Sequence, residues 1–475
     1  MNSNNLPQKG ILGHRNNLII IIPSLIFSLL FYHQQTGLNF FLFTLTTMVL
    51  LGISNAALFF KSTILLKALA YLISGIAVFL YNSPLTIIAN LLAFFTLVGS
   101  FSEHKSSIYI NWANGIYTSL VAAFTLYFEK VNATTEQKNA KKINYSYWLK
   151  TVGIPLIIVI IFISLYRNGN PKFDELISQI DFSFINFEWI VYTGLGYYLF
   201  YNITHPIFVT PATQLDLETG NVLKNEILTK IDLKKLKSEV HLGIVLLVSL
   251  NVLIAIFLVT DIIHLSEIHQ MTAPELSQQV HTGVNALILS NLLAIAIILY
   301  FFRGSINFIK NNTVLKNLTF VWISLNLIMI GITAVKNVEY LISFGLTYKR
   351  IGVLFFLCFT AIGLITTFIK VSKVKNLWFL FRKNIQIAFT VLILSSTVNW
   401  DKIITYYNIN YAKQLDLDYL IKLSDNNAFL LKDYVEKNKI AHKKEIKINR
   451  KHRNYMKNLQ NNSWQELVFD NYKIQ

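Results

Sequence analysis

Charge is what this chain of 475 residues has least of: Asp, Glu, Lys and Arg make up only 14% of it. A soluble domain averages about a quarter. Acidic residues are the scarcer sign, 25 against 42 Lys and Arg, which leaves a net charge of +17. Cysteine occurs once, at Cys358 in an apolar run. A single thiol cannot form an intrachain disulfide, a metal tetrad or a redox pair. There is no glycine-rich phosphate loop, no His-Glu-x-x-His, no Gly-x-Ser-x-Gly and no repeated carboxylate pair inside an apolar run. Coupling to ATP within the chain is therefore not expected, and no cofactor is indicated. Leu18–Tyr32 resembles the apolar part of a secretory signal, but His33-Gln34-Gln35-Thr36-Gly37 offers no small-x-small cleavage site.

Apolar residues are what the chain has instead. They make up 53%, with 35 Phe and 23 Tyr, and the mean hydropathy is +0.47. Nearly uncharged stretches recur from Leu18 to Trp400, at 18–32, 38–60, 65–81, 85–101, 107–128, 149–166, 188–207, 240–260, 281–302, 317–336, 350–369 and 384–400. They are apolar all round rather than along one stripe, as bilayer-spanning helices are and water-soluble ones are not. Nothing alternates as a transmembrane strand would. The expected fold class is all-α, a polytopic bundle of about 11–12 spans with a short helical C-terminal unit. Three parts are expected: a hydrophobic bundle of about five spans over 1–147, a transmembrane core over 148–400 and a polar helical unit over 401–475. Pro23 and Pro155 fall inside apolar runs, where neighbouring helices tolerate a kink.

Lysine placement suggests the orientation. Segments 129–150, 210–238, 303–316 and 370–383 are rich in Lys and Arg, whereas 261–280 has none. The positive-inside rule puts the rich set in the cytoplasm and the tail after Trp400 outside it, in a bacterial inner membrane. The same bias accounts for the positive charge without nucleic acid. Lys9 and Arg15 favour a cytoplasmic N-terminus, yet five early spans would then put 129–150 outside. Either the N-terminus is outside or one early segment fails to span. In the tail, Ile403, Ile404, Tyr407 and Tyr411 fit one helical face, and Tyr419, Leu420 and Leu423 a second short helix. Ser424 is placed to cap a third helix with Phe429, Leu430, Leu431 and Tyr434.

Three strings carry a family resemblance. Glu339-Tyr340-Leu341-Ile342-Ser343-Phe344-Gly345-Leu346-Thr347-Tyr348-Lys349-Arg350 precedes a long apolar run. Val280-His281-Thr282-Gly283-Val284 opens a helix ending near Phe302-Arg303-Gly304. Asn399-Trp400-Asp401 leads through Tyr407-Asn408-Ile409 to Leu415-Asp416-Leu417-Asp418-Tyr419-Leu420. In this order, over roughly 190–435, they resemble a bacterial membrane family known as domain of unknown function 4173, with its close relative 4153. The resemblance implies a multi-span inner-membrane protein with a small helical C-terminal unit, and no reaction.

Polar residues gather at the expected outer face. Asp261, His264, His269, Glu275 and His281 lie between two spans, and Lys336, Glu339, Tyr340, Lys349 and Arg350 between two others. Basic groups here run against the positive-inside bias. Lys336, Tyr340, Lys349, Arg350 and His281 are the candidates for binding an anion or a lipid headgroup at a helix N-terminus. The plainer readings are interfacial snorkelling or a Glu339–Arg350 ion pair. The carboxylates and histidines have metal-ligand types but fit no tight template, so no metal is assigned. Asn90, Asn111, Asn114, Asn251, Asn285, Asn291 and Asn326 fall in or near spans. There they serve either as interhelical hydrogen bonds or as a hydrophilic path. Gly345 is read as a turn residue and Thr347 as a helix cap. The expected function is a non-enzymatic sensor or scaffold displaying its tail outside, with membrane lipids and a protein at the C-terminal unit as partners. The alternative is a transporter of a lipid-linked or small anionic substrate, and a lipid-modifying transferase comes third.

Overall fold

The structure, a computed structural model, describes residues 17–136, 151, 154–178, 186–225, 230–265, 273–309 and 312–474. Helices account for nearly all of it. In chain order they are α1 (Asn17–Phe31), α2 (Leu38–Ser54), α3 (Ala56–Phe59), α4 (Ser62–Tyr81), α5 (Pro84–Ser102), α6 (Ile108–Glu136), α7 (Ile154–Gly169), α8 (Pro171–Ser178), α9 (Phe187–Thr204) and α10 (Thr210–Glu218). There follow α11 (Lys230–Leu265), α12 (Ala273–Phe301), α13 (Thr313–Phe344), α14 (Tyr348–Ser372), α15 (Leu377–Ser396), α16 (Trp400–Tyr411), α17 (Leu417–Lys422), α18 (Ala428–Lys437) and α19 (His442–Asn461). Among the described residues there is no sheet, only the isolated bridge Val222–Lys375. Six helices are by themselves long and apolar enough to cross a bilayer: α4, α5, α11, α13, α14 and α15. The expected all-α polytopic bundle is what forms.

Local chemistry sets the helix ends. Ser83 and Thr86 form a capping box behind Pro84, so α5 starts where Asn82-Ser83-Pro84 breaks the chain. Asn82 itself is left-handed (φ 41°), and its amide exchanges two 2.7 Å hydrogen bonds with Thr36 of the α1–α2 turn. Thr347 caps α14 by accepting from the Arg350 amide. Gly345 closes α13 at φ 80°, with the Asn408 side chain where a Cβ would stand. Pro23 lies within α1. Pro155 is the second described residue of α7.

Packing groups the helices by core rather than by chain order. One core joins α1, α2, α4, α5 and α9 through Leu51, Tyr71, Leu97, Phe200 and Ile203, and takes in Phe389 and Ile393 of α15. A second joins α11, α12, α13 and α14 through Leu247, Ile298, Trp322, Ile330 and Leu364. A third, smaller core lies over the α13–α14 turn and holds Leu346, Ile351, Ile404, Leu420, Leu431 and Ile448. In the first bundle α5 and α6 meet backbone to backbone. The Gly99 Cα abuts the Asn111 carbonyl and Gly115 abuts that of Phe95, a use of small residues that lets membrane helices close up. Gly99→Leu is expected to force the pair apart and cost about 3 kcal/mol. Thermal unfolding in detergent checks it, and an unchanged melting temperature would refute the backbone contact.

Hydrogen bonds at the helix ends define two faces. On one face the C-terminal unit is pinned to turns of both bundles. Leu38 N donates to Leu467 O at 2.8 Å, Asn426 Nδ2 to Tyr81 O at 2.8 Å, and Tyr348 Oη to Asp401 at 2.8 Å. The other face carries Lys61, His104, Asp216, Arg303, Lys370 and Arg382. α6 and α9 run antiparallel, joined through Thr118–Ile207 and Ser119–Asn202. α6 thus starts on the basic face at Ser107–Asp216 and heads for the other. Lys138, Lys141, Lys142 and Lys150 of the 129–150 segment lie outside the described residues. Asn186, before α9, donates to the Tyr32 hydroxyl on the C-terminal-unit face.

Candidate functional site

The second bundle has a polar seam inside an apolar shell. On α13 the residues turned inward repeat every seventh position as Thr319, Asn326 and Thr333, followed by Asn337 one turn on, all buried. α11 adds Asn251 and α12 adds Asn291. Their amides are used in part. Asn326 Nδ2 donates to Trp322 O (2.8 Å) and Asn291 Nδ2 to Leu287 O (2.9 Å), each within its own helix. Asn251 Nδ2 reaches Leu318 O of α13 (3.0 Å), and Asn337 Nδ2 reaches Arg350 O of α14 (3.2 Å).

Among the described residues, none of the four Oδ1 atoms accepts a hydrogen bond. Exposure of these residues is 9% for Asn251, 1% for Asn291 and Asn326, and 0% for Asn337. A buried acceptor left bare costs about 1–3 kcal/mol, more than the roughly 1 kcal/mol that an interhelical amide bond returns in a membrane. In the first bundle Asn111 also has a bare Oδ1, but two other asparagines are used on both sides. Asn202 accepts from Ala123 N and donates to Ser119 O, both at 2.7 Å, while Asn114 bonds Val209 N and Thr213. Those are cross-links. The seam of the second bundle is a row of unsatisfied acceptors.

Ionic groups stand at both ends of the seam. Lys336 of α13 pairs with Asp261 of α11, their side chains only 14% and 15% exposed. At the opposite end Lys370 of α14 is 2% exposed. It donates to the Phe302 carbonyl at 2.8 Å. Of the residues singled out from the sequence, Arg350 lies 4.0 Å over the Tyr340 ring. It also donates to the carbonyls of Phe344 (2.7 Å) and Gly345 at the end of α13. Its charge thus faces the negative end of that helix dipole. Lys349 is exposed on the same rim. The side chains of His264, His269, Glu275 and His281 lie outside the described residues. The structure thus brings Tyr340 and Arg350 together and joins Lys336 to Asp261. The sequence marked Asn251, Asn291 and Asn326, but not Asn337 or Lys370. Asn337 had a signal, the position one turn beyond the seven-residue repeat of α13.

A cavity of about 320 Å³ lies in the first bundle, lined by Phe27, Phe31, Phe40, Phe43, Phe94 and Phe95 among others. Asn90 at its wall is bonded to Thr44 and Ser74, so the cavity offers little polar chemistry.

Fold and seam together define a multi-pass membrane protein with a polar-cored helix bundle capped by its own C-terminal unit. The chain belongs to the family described as Domain of unknown function (DUF4153), which matches residues 19–434. This is the relative of the family that the three strings resemble, and its match extends over the early helices, where no string was recognised. No curated protein and no solved structure matches the chain.

Proposed function

We propose that the bundle α11–α14 passes a small cation, or a proton on water, along its seam, with Lys336–Asp261 at the outer end. The observation that carries this reading is the row of four buried amide oxygens with no donor. Acceptors without donors suit a cation or water rather than an anion, so the substrate favoured is not the anionic one of the alternative transporter reading. Ionisable groups inside a membrane bundle commonly mark such pathways. The test is flux in proteoliposomes under imposed H⁺, Na⁺ or K⁺ gradients. Asn326→Leu is expected to lower flux at least about tenfold while leaving the melting temperature unchanged or higher, because it removes an unsatisfied acceptor. Flux unaffected by Asn326→Leu and Asn291→Leu, or no flux of any of the three ions, overturns the proposal.

A second reading, a scaffold presenting its C-terminal unit outside the cytoplasm, is supported by the docking of that unit onto turns of both bundles. A bacterial inner membrane is the location that either reading implies. Headgroup contact at the outer rim rests on Lys349, since Arg350 is engaged with carbonyls and the Tyr340 ring.

A further inference from the structure

The longest helix of the C-terminal unit is its most basic. α19 carries Lys443, Lys444, Lys447, Arg450, Lys451, Arg453 and Lys457 against a single acid, Glu445. These charges divide into two groups. Lys451 turns inward, where burial lowers its pKa, and donates to the carbonyls of Ile421 (3.1 Å) and Leu423 (2.6 Å). It flanks Ile448 and Leu459, the buried residues that seat the helix on the small core. On the opposite side Lys443, Lys447, Arg450, Arg453 and Lys457 are exposed. Steps of four, three, three and four residues keep them on one face, about 4.5–6 Å apart over about 21 Å. Lys447 shares Asp418 at 3.7 Å with Lys444. Among the described residues the other four have no ion-pair partner.

The helix lies across the outer face of the bundle. Near its start Lys444 meets Asp418 of α17, and the neighbouring Tyr419 hydroxyl accepts from Tyr348 N at the α13–α14 turn. Just past its end, Ser463 bonds Gln34 and Gln465 bonds Leu29 O at the end of α1. Because the small core sits between the helix and α14, the basic row faces away from the bundle.

We infer that this row is a docking surface for a linear phosphate-bearing polymer outside the membrane. Charge complementarity selects a polyanion, and the guanidinium forks of Arg450 and Arg453 match phosphate. The row carries Ile446 and Asn454 between its charges and no aromatic platform on which bases would stack. That separates it from a single-stranded nucleic acid site. Pointing away from the bundle separates it from the headgroups of its own bilayer.

The test uses the full chain in nanodiscs of zwitterionic lipid, with long-chain inorganic polyphosphate as probe. Arg450→Gln/Arg453→Gln/Lys457→Gln is expected to weaken binding at least about tenfold and to flatten its salt dependence by about three counterions. Lys443→Gln/Lys447→Gln, at the other end of the row, should weaken it less. Lys373→Gln/Lys375→Gln/Lys383→Gln, on the opposite face, should leave it unchanged. All positions altered in the row are exposed, and unchanged melting of both row variants establishes that lost binding is local. Undiminished binding in the row variants, equal loss in the opposite-face variant, or tighter binding of single-stranded DNA of matched charge overturns the inference. So does binding only to vesicles containing phosphatidylglycerol.

Discussion

Asp216→Ala is expected to cost about 3–5 kcal/mol, because the wild-type carboxylate is buried and its partner would be left without it. Asp216 is 7% exposed. It accepts from the Ser107 amide and hydroxyl (both 2.8 Å), from Tyr109 (3.0 Å) and from Arg382 Nε (3.1 Å) and Nη2 (3.0 Å). Arg382 also binds the Asp216 carbonyl (2.5 Å) and Asn221 (2.7 Å). One carboxylate thus ties the α5–α6 turn, the loop helix α10 and the start of α15. Asp216→Leu with Arg382→Met should recover part of the loss, since no charge is then stranded. Acid should act in the same direction. Burial raises the pKa of Asp216, but the bonds from Ser107, Tyr109 and Arg382 outweigh it and hold the group below its ordinary 3.8. Its contribution is therefore present above that value and fades as pH falls through the lower, folded-state pKa. Melting temperatures of wild type and Asp216→Asn, followed from about pH 7 to pH 3, should converge at the acid end. A gap that stays constant with pH would remove the charge from the account.

The sequence displays the helices of this protein more openly than their partners. Runs of fifteen or more apolar residues admit one backbone solution in lipid, so α4, α5 and α14 were legible with an error of a few residues. Turns and caps with a chemical signature were legible too, as with Gly345 and Thr347. Which helices share a core was not, because a lipid-facing leucine and a core leucine look alike in a uniformly apolar run. Phe389 of α15 packs with the first bundle while Leu364 of α14 packs with the second, and nothing local separates them. α19 was passed over for the opposite reason. It seats itself with only Ile448 and Leu459 buried, too few to show a period. At the seam the residue types were visible and their satisfaction was not. Asn202 and Asn326 are the same residue in similar surroundings, and only tertiary partners make one a cross-link and the other a bare acceptor.

Lys336→Met is expected to produce the largest loss within the second bundle, about 3 kcal/mol or more, by leaving Asp261 ionised and unpaired in a membrane bundle. Lys336 lies eight residues before the end of α13 at Phe344, about 12 Å along the helix, too deep for its partner to be replaced fully by water. Removing both charges, as Lys336→Met/Asp261→Leu, should restore most of the melting temperature, since well-packed apolar residues commonly match or exceed a buried ion pair. Stability and transport then give separate answers. If Asp261 is the last acceptor on the seam, the double variant regains its fold while flux in proteoliposomes stays at background. Its row of amide oxygens then ends against an apolar plug. If the pair only fastens α11 to α13, flux returns together with the melting temperature. Asp261→Asn with Lys336→Gln sharpens the choice, because it keeps a polar exit and removes only the charge. Flux near wild type there, with none in the apolar double variant, would assign the requirement to hydrogen bonding at the outer end of the seam rather than to charge.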